Sequence, residues 1–490
     1  MDFDVIIIGA GMSGLAAADF LVQQNQERKT RGQLELSFVV LEGSKRPGGR
    51  TLTDPEAKGY LDLGAGYVAP TQSYTQLLMS RFKLKSFETF LPDGVASQYE
   101  RANGKLLPFD GPNYPLSDPE DDPPENNGGG DSDAVTPTID AIERQILSIR
   151  AHLERPWEAL NAAELDQITI QEYMDQNLSG ASNSLARELL TIAIRSAFSV
   201  EPKEISVLYF LYYGATCGTL RAFENVKGGG DSIRLVTGTQ GLVTGLLAAI
   251  DGVNTVRYGA KVTRISQDDT SVSVTVDGDA DQPTVLTGKA VIVAMSPGAT
   301  STIQFTPALS AQRQGLVDGV PMAATIKGFL TFDQAWWRSK FTGYALSAAG
   351  PADWVLDNTW WDPLDGLWKY PALMTFIVGD RARDLTKNTT KDERRAALLT
   401  QVYKLFGGNP DDFPCTGYHE KDWDADEWSH GCPAGCLRPG VLTKYGAALR
   451  QPHGRVHWAG SEAATDWMGG YMNGAIQSGM RAAGEVLEAL

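Results

Sequence analysis

The first fourteen residues of the chain place a glycine-rich turn between a buried strand and a helix. Asp4–Ile8 is almost entirely apolar, which is typical of a parallel strand buried on both faces. Gly9, Gly11 and Gly14 follow in the spacing Gly-x-Gly-x-x-Gly, and helical periodicity begins directly after them. The first glycine permits the tight bend, the second lets a pyrophosphate contact the backbone, and the third lets helix and strand pack closely. The segment therefore predicts a Rossmann-type dinucleotide site.

A second predicted strand, residues 34–42, ends at Glu42, whose carboxylate can accept hydrogen bonds from ribose hydroxyls. The interval from Gly14 to this acid is longer than the usual ~20 residues. The excess, residues 25–33, is polar and predicts a surface loop. A glycine-rich turn in an unrelated α/β unit is the alternative, but strand, helix and terminal acid together favour the dinucleotide site.

Composition excludes several other classes of protein. A chain of 490 residues is long enough for two domains or more, and its net charge of -17 disfavours nucleic acid and anionic membranes as partners. Four cysteines are too few for a disulfide framework, and five histidines include no ligand-like pair, so no metal site is expected. We expect a cytoplasmic protein, because no signal peptide precedes the first strand and no run is long enough to cross a bilayer.

Further glycine-bearing segments fit a long cofactor. Residues 46–51 (RPGGRT) include Gly49 and Arg50, which suit a cofactor held along its whole pyrophosphate. Far along the chain, Val456–Ala459 predicts a strand, and a helix rich in glycine and alanine begins at residues 469–474. A helix start of that kind lets the backbone approach a flat or anionic ligand closely.

These segments resemble the flavin-containing amine oxidases, and among them the monoamine oxidases most. The resemblance is carried by residues 5–21, 46–51, 62–72 and 456–482, and it runs nearly end to end. It implies an α/β fold in which a Rossmann-type, glutathione-reductase-like FAD-binding domain is interleaved with an α+β substrate domain. The expected FAD-binding domain comprises residues 1–85, 225–305 and 415–490, and the expected substrate domain comprises residues 86–224 and 306–414.

The resemblance implies FAD-dependent oxidative deamination of a primary amine to an aldehyde or ketone and ammonia, with O2 reduced to H2O2. The expected partners are therefore a small-molecule amine and O2, and the sequence leaves monomer and homodimer open. Alternatives are an amino-acid or polyamine oxidase of the same fold, a flavin desaturase or isomerase acting on a lipid-like ligand, and a scaffold that keeps FAD only structurally. An amino-acid oxidase would need an arginine for the substrate carboxylate. Arg195 lies in a region that lines the cavity of relatives, so it could contact an acidic group of the substrate. The alternative is that Arg195 is an ordinary surface arginine.

Three residues are candidates for catalysis. Lys327 stands in an apolar strand, on the same face as Thr325 and Phe329, where a lysine is costly unless it is paired or used. The resemblance assigns this lysine to a water at flavin N5, and an edge lysine that reaches outward to solvent is the alternative. Trp423 aligns with a tryptophan beside the flavin, and Tyr471 with one wall of an aromatic cage.

The resemblance also assigns the cofactor contacts. The residues expected to bind FAD are Gly9, Gly11, Ser13, Gly14, Glu42, Gly49, Arg50, Gly66, Tyr67, Val262, Cys432, Gly460, Ser461, Tyr471 and Met472. Val262 would meet the adenine through its backbone, and Cys432 aligns with a cysteine that carries the flavin covalently in the monoamine oxidases. A free thiol beside FAD is the alternative for Cys432.

The chain departs from the family pattern at several positions. Pro433 replaces an aromatic wall of the cage, and Trp467 is a candidate to fill its place. Ser44 replaces an arginine that helps to hold the adenosine.

The remaining segments give coarser expectations. Residues 141–220 are mostly helical in periodicity, and their aromatic side chains are expected in the core. Six tryptophans between residues 336 and 368 suggest a broad apolar wall, some of it plain packing. Residues 109–137 are rich in proline, glycine and acids, which predicts a solvated, mobile loop, with a functional charge patch as the alternative. The cysteines other than Cys432 are expected to be plain buried residues.

Overall fold

The computed structural model describes residues 2–110, 135–180, 183–277 and 283–490. The strands, in chain order, are β1 (Phe3–Ile8), β2 (Phe38–Glu42), β3 (Ser86–Glu88), β4 (Ala96–Glu100), β5 (Leu106–Asp110), β6 (Ile233–Leu235), β7 (Val256–Tyr258), β8 (Val262–Gln267), β9 (Val272–Val276), β10 (Thr284–Ala294), β11 (Gln304–Thr306), β12 (Thr325–Phe332), β13 (Phe341–Ser347), β14 (Trp354–Asp357), β15 (Trp360–Asp362), β16 (Leu367–Lys369), β17 (Ala372–Val378), β18 (Cys415–Asp422) and β19 (Val456–Ala459).

The α-helices are α1 (Met12–Thr30), α2 (Ser73–Arg81), α3 (Val135–Arg150), α4 (Ala162–Leu165), α5 (Ile170–Asn177), α6 (Ser184–Phe198), α7 (Val207–Cys217), α8 (Leu220–Glu224), α9 (Gln240–Ala249), α10 (Gly252–Thr255), α11 (Ala311–Gly319), α12 (Gly379–Asn388), α13 (Lys391–Phe406), α14 (Val441–Tyr445) and α15 (Met472–Ala489). Short 3-10 helices cover Pro156–Glu158, Pro202–Glu204, Gly298–Thr302, Trp336–Ser339, Gly446–Leu449 and Ser461–Ala463.

The first large sheet forms the Rossmann-type part of the molecule. Its strand order is β11-β8-β9-β10-β1-β2-β7, and β19 pairs with the free end of β10. The neighbours β19, β10, β1, β2 and β7 run parallel, so their carboxyl ends meet at one edge. Apolar side chains of β1 pack on helices at one face and on the β8–β9 hairpin at the other. The predicted doubly buried first strand is present, and both chain ends contribute to this sheet.

The predicted surface loop at residues 25–33 is wrong for most of its length, because α1 continues to Thr30. Glu27, Arg28 and Lys29 are good helix formers, and only the residues after the helix leave it. Asn25 is buried, and its side-chain amide both donates to and accepts from the backbone of Leu36 at 2.8 Å. These bonds hold the long helix against the approach to β2, which begins only at Phe38.

Helices α1 and α15 pack closely enough to bring remote residues together. A side chain at Gly479 would collide with the carbonyl oxygen of Ser13, so only glycine allows this approach. The hydroxyl groups of Ser13 and Ser478 lie 3.2 Å apart, and both accept from the N–H of Gly460, at 3.0 and 3.1 Å. The turn after β1 and the turn after β19 are thereby joined through side-chain hydroxyls.

The second large sheet has the order β18-β12-β17-β14-β13-β4-β5, with β12 pairing antiparallel to both neighbours. One face packs against α12 and α13, and the other faces the helical part formed by α3 to α8. The predicted helical character of residues 141–220 is present in that part. The domain boundaries proposed from the sequence stay a prediction; β18, which they place with the FAD-binding domain, pairs within this second sheet.

The acidic segment at residues 109–137 falls largely outside the described residues. Its first two residues end β5, and α3 already begins at Val135, so the ends of the segment are strand and helix rather than loop. Residues 111–134 lie outside the part of the chain that the structure describes.

The cysteines are unpaired. Cys217, Cys432 and Cys436 are buried as free thiols, whereas Cys415, at the start of β18, is only half-buried, against expectation. No described helix combines the length and the apolar character that a bilayer crossing requires.

Candidate active site

An elongated pocket of about 300 Å³ opens at the carboxyl edge of the first sheet. Eleven of the fifteen predicted cofactor residues line it: Gly9, Gly11, Ser13, Glu42, Gly49, Arg50, Val262, Gly460, Ser461, Tyr471 and Met472. Ser44 lines it as well, in the place where an arginine was expected. Gly66, Tyr67 and Cys432 line a second, adjoining cavity instead.

Gly14 supports the pocket from beneath. Any Cβ at this position would collide with the carbonyl oxygen of Gly9, whose φ of +100° is itself a conformation that favours glycine. The turn therefore needs glycine at both positions before a ligand arrives. Helix α1 begins at Met12, inside the glycine motif, and its N-cap residue, Gly11, provides no side-chain cap. The first N–H groups of the helix are left for an anionic ligand.

Glu42 ends β2 with both carboxylate oxygens fixed by backbone donors. Oε2 accepts from the N–H of Ala10 at 2.7 Å, and Oε1 accepts from the N–H of Ser44 at 2.8 Å. A carboxylate oxygen can accept more than one hydrogen bond, so the oriented group still has capacity for hydroxyl donors in the pocket. This is the position that the sequence predicted for ribose recognition.

Arg50 lies where the two cavities meet and is held by Glu462. Its guanidinium donates to Glu462 Oε1 at 2.9 Å and to the carbonyl of Pro433 at 2.7 Å. Burial would raise the pKa of Glu462, but Arg50 outweighs it and holds that pKa below its usual value. Sequence reasoning missed Glu462. Its position gave a signal, because Glu462 is an acid within a stretch of small residues after β19. A buried Arg50 needs a counter-charge, and this acid could supply it.

The adjoining cavity has a volume of about 170 Å³ and mainly apolar walls. Its large side chains are Tyr67, Ile192, Tyr213, Phe223, Tyr344, Leu346, Trp354, Met374, Phe376, Trp423 and Tyr471. The two cavities share Arg50, Ala65, Gly470, Tyr471 and Met472, so they adjoin at these residues.

Lys327 points into this space from the centre of β12. The side chain is buried, and Nζ donates to the carbonyl oxygen of Gly64 at 2.8 Å. Nζ also lies 5.5 Å from the ring centroid of Tyr67, and a Cβ on Gly66 would sit 3.3 Å from it. Burial lowers the pKa of Lys327 to about 8, although the nearby Asp62 carboxylate opposes this shift. An edge lysine that reaches solvent is therefore excluded.

Trp423 and Tyr471 line the cavity together with Lys327, so the structure brings the predicted catalytic trio together. Trp423 is buried, and its Nε1 donates to the carbonyl of Leu63 at 2.8 Å. Tyr471 is the N-cap residue of α15. Its ring centroid lies 5.9 Å from that of Tyr213, which was expected only in the core.

Trp467, the candidate for the missing wall of an aromatic cage, does not line the cavity. Its ring packs edge-on against Tyr471, with centroids 4.7 Å apart, and it is buried behind that residue rather than in the cavity lining. Pro433 itself lines the cavity, so the wall opposite Tyr471 lacks an aromatic ring at this position.

The predicted tryptophan wall is wrong for five of its six members, because only Trp354 reaches the cavity. Trp336 and Trp337 are buried in the core between the second sheet and α13. Trp360, Trp361 and Trp368 belong to the β15–β16 hairpin, where they pack on one another and on neighbouring rings. A sequence cluster of tryptophans therefore distributes over a core, a hairpin and one cavity wall.

Arg195 is neither a substrate contact nor a free surface residue. It donates to Glu201 at 2.8 Å and to Asp353 at 3.4 Å, and its neighbours Ile192 and Ser196 line the cavity in its place. The arginine is thus committed to ion pairs beside the cavity.

Comparison with known proteins identifies the family of the chain. Residues 12–487 match the family model described as "Flavin containing amine oxidoreductase". The chain belongs to the flavin-containing amine oxidoreductase family.

Relatives in the family match over the whole chain. It is 33% identical to a flavin-containing amine oxidase of Danio rerio over 496 residues, covering 100% of this chain and 86% of that protein. It is 34% identical to flavin-containing amine oxidase B of Canis lupus familiaris over 492 residues, covering 99% and 86%. The predicted family, and with it an FAD-dependent amine oxidase, is confirmed.

Solved structures give the same result for the fold. Cyclohexylamine oxidase from Brevibacterium oxydans IH-35A superimposes with a TM-score of 0.84 at 28% identity, covering 100% of this chain and 99% of that one. A variant of putrescine oxidase with redesigned cofactor binding gives a TM-score of 0.85 at 25% identity, with the same coverage. The predicted two-domain α/β fold class is confirmed.

The described residues fit FAD, the cofactor of this oxidase. The glycine turn, the uncapped start of α1 and Glu42 supply what a pyrophosphate and a ribose need. The start of α15 also lacks a side-chain cap and borders both cavities through Tyr471. These features therefore suit a long ligand that lies along the sheet edge with one end against the apolar cavity.

Proposed function

We propose that this oxidase converts a primary amine with an apolar body into an imine, which hydrolyses to an aldehyde or ketone and ammonia. O2 is the proposed electron acceptor, and H2O2 is its product. The observation that carries the proposal is the buried Lys327 in the lining of an apolar cavity that adjoins the predicted FAD pocket.

The proposed FAD contacts follow the order of the pocket. The start of α1 holds the pyrophosphate, Glu42 accepts from the ribose, and the backbone at Val262 meets the adenine. Arg50 and Tyr471 lie where the pocket passes into the cavity, and there they contact the flavin end of the cofactor. Bound FAD supplies the two-electron oxidation of the Cα–N unit and the reduction of O2.

In the proposed reaction, residues of the chain position the reactants, and the cavity lining excludes bulk water. Lys327, fixed on Gly64, is proposed to hold a water molecule beside the reactive face of the cofactor. Trp423, fixed on Leu63, forms a rigid floor, and Tyr471 forms a wall. The apolar lining keeps bulk water out and disfavours a charged ammonium, and an amine must be neutral to react.

The cavity supports an amine rather than an amino acid. An amino-acid oxidase needs a free cation for the substrate carboxylate. Among the described lining residues the cations are Arg50 and Lys327, and both are engaged, by Glu462 and by Gly64. Arg195, the other candidate, is ion-paired outside the lining.

Anaerobic mixing with an alkylamine or with benzylamine tests the proposed reaction. The flavin absorbance should bleach, and admission of air should restore it with release of H2O2. A flavin that dithionite bleaches but that no amine bleaches would contradict the proposal and support a structural role for FAD.

A second measurement settles the state of Cys432. Its thiol is buried in the cavity lining, and burial raises its pKa to about 11, against the opposing effect of Arg50 and Lys327. Acid precipitation distinguishes the two states: yellow colour stays in the pellet if a thioether joins FAD to Cys432, and stays in solution if the thiol is free.

The proposed setting is the cytoplasm. The support is the set of four free cysteines, three of them buried, which a reducing compartment keeps as thiols. Fractionation of the expressing cells, with the amine-dependent release of H2O2 as the marker, tests this location.

A further inference from the structure

The substrate cavity contains one acid that nothing in the proposed reaction uses. Asp231 is half-buried in the segment that leads into β6, and it lines the cavity. Among the described lining residues it is the only carboxylate. Its carboxylate makes no hydrogen bond or ion pair with any part of the chain that the structure describes, whereas the other acids near the cavity, Asp62 and Glu462, are both bonded.

The backbone around Asp231 is fixed although its side chain is free. Thr89 Oγ1 donates to the carbonyl oxygen of Asp231 at 2.6 Å, and the N–H of Thr89 donates to that of Ser232 at 2.8 Å. The preceding residue, Gly230, packs so closely that a Cβ there would lie 3.5 Å from the hydroxyl of Tyr471. The carboxylate is therefore carried on a hydrogen-bonded turn that leads into β6, beside one of the proposed catalytic residues.

The surroundings place Asp231 at the reacting end of the cavity. Lys327 is the charged group that acts on it, and the lining also includes the apolar side chains of Ile192, Leu346 and Trp354. The other titratable side chains in the lining are Arg50, Cys432, Tyr67, Tyr213, Tyr344 and Tyr471. Arg50 is neutralised by Glu462, and the carboxylates that act on Lys327 are those of Asp62 and Asp231.

We propose that Asp231 binds the ammonium group of the substrate and accepts its proton, so that the neutral amine is formed inside the cavity. This inference rests on the proposed amine oxidation. In the step an N–H bond of R–NH3⁺ breaks and an O–H bond forms on the carboxylate, giving R–NH2 and a protonated Asp231 with no change of oxidation state. A dry, apolar cavity favours this neutral pair over an ion pair, because charges lose their hydration there.

The electrostatics of the site agree with this role. Burial raises the pKa of Asp231 to about 7, with Lys327 opposing the shift. The carboxylate is therefore ionised above about pH 7 and is a stronger proton acceptor than an ordinary aspartate. Without it, the enzyme would depend on the small fraction of substrate that is already neutral in solution.

The decisive variant is Asp231→Asn, measured as kcat/KM against pH. An alkylamine ionises near the lysine value of about 10.4, so at about pH 8 well under 1% of it is neutral. We expect the variant to lose on the order of 100-fold in kcat/KM near pH 8, with the loss shrinking about tenfold for each pH unit toward the pKa of the amine. A fluorinated amine that is already neutral near pH 8 should react equally well with both proteins.

Two further variants separate the proton role from a structural one. Asp93→Asn removes an exposed carboxylate that pairs with Lys227 and should leave the pH profile unchanged. Asp231→Glu retains a carboxylic acid and should keep the pH profile close to that of the wild type. This comparison remains informative if Asp231→Asn fails to retain FAD. A profile of Asp231→Asn parallel to the wild type, or a Glu variant that behaves like the Asn variant, would overturn the inference.

Proton counting tests the inference without turnover. A primary amine on a tertiary carbon, such as tert-butylamine, has no hydrogen on its α-carbon and cannot be oxidised, so its binding can be followed by calorimetry in buffers of different ionisation enthalpy. Near pH 8 the wild type should release almost no proton, because Asp231 retains it, whereas Asp231→Asn should release about one per amine bound. Equal release by both would overturn the role of Asp231 and leave the amine oxidase proposal intact, whereas failure of every amine to bleach the flavin would reject the proposed function itself.

Discussion

The cofactor pocket and the substrate cavity meet at Tyr471, yet their walls are built from different parts of the chain. The pocket is formed largely by glycines, strand ends and helix starts, so its shape comes from the backbone. The cavity is formed by large side chains from the second sheet and from α6 and α7. A backbone wall tolerates almost no added atom, whereas a side-chain wall can be rebuilt by substitution. A substitution in the pocket wall should therefore abolish FAD binding, whereas a substitution in the cavity wall should change the selectivity for the substrate.

The strongest test of this contrast compares two glycines. Gly14→Ala places a Cβ against the carbonyl of Gly9, whereas Gly484→Ala in α15 meets nothing within 4 Å. We expect the first variant to lose at least about tenfold in bound FAD or to fail to fold, and the second to keep its full FAD content, since alanine favours a helix. The measurement is the flavin-to-protein absorbance ratio after purification. Normal FAD in Gly14→Ala would show that the pocket is not built from close backbone contacts.

The next largest effect is expected at Lys327, in the lining of the substrate cavity. Lys327→Met removes the buried amine while keeping an apolar side chain of similar length, and kcat/KM should fall roughly 10²- to 10⁴-fold, as for other lost proton-handling groups. FAD content should stay normal, because the lysine lies in the cavity lining. Lys203→Met, which removes an exposed ion pair with Asp380, is the control and should keep full activity. Unchanged turnover in Lys327→Met would remove this residue from the reaction.

The same substitution should stabilise the protein in a manner that depends on pH. The pKa of Lys327 is about 8 in the folded chain and 10.5 as its ordinary value, so the unfolded state binds more protons between these pH values. Stability of the wild type therefore rises with pH across that window, and below it the full cost of a buried charge remains, at most about 3 kcal/mol. We expect Lys327→Met to have the higher Tm near pH 7 and to lose that advantage toward pH 10. A constant difference in Tm across this range would contradict the assignment.

The smallest effect is expected on the cavity wall. Trp354→Ala enlarges the cavity, and it should raise KM for an aromatic amine by about tenfold while leaving FAD binding intact, since one hydrophobic contact is worth about 1–3 kcal/mol. Trp361→Ala alters the β15–β16 hairpin away from the cavity and should leave KM unchanged. Equal KM values for the two variants would show that Trp354 does not contact the substrate.

The same contrast explains which features could be predicted from the sequence. The turn at Gly9–Gly14, the acid at Glu42 and the strand at Val456–Ala459 follow from local spacing, since a parallel strand followed by a glycine turn and a helix has few other solutions. Lys327 was identifiable because one charged residue in an apolar strand demands a reason. The family resemblance supplied the chemistry and the FAD contacts.

The cavity could not be predicted in this way, because its members meet through long-range packing. Arg195 becomes unavailable through Asp353, a residue 158 positions away, and no local pattern announces that pair. Trp354 and Trp361 have similar surroundings in the sequence but different positions in the fold. Asp231 was passed over since an acid after three glycines is typical of an exposed turn.

The hydroxyl bridge between Ser13 and Ser478 joins segments that are made far apart in time. Residue 13 leaves the ribosome 465 residues before residue 478, so at roughly 5–20 residues per second the two are separated by roughly 20 to 90 s of synthesis. Until the later segment is made, the first large sheet lacks β19, and the nucleotide pocket lacks the residues that follow β19 and those at the start of α15. FAD binding is thus a late event in the synthesis of each chain. Any agent that terminates translation early yields an apoprotein fragment with an exposed sheet edge.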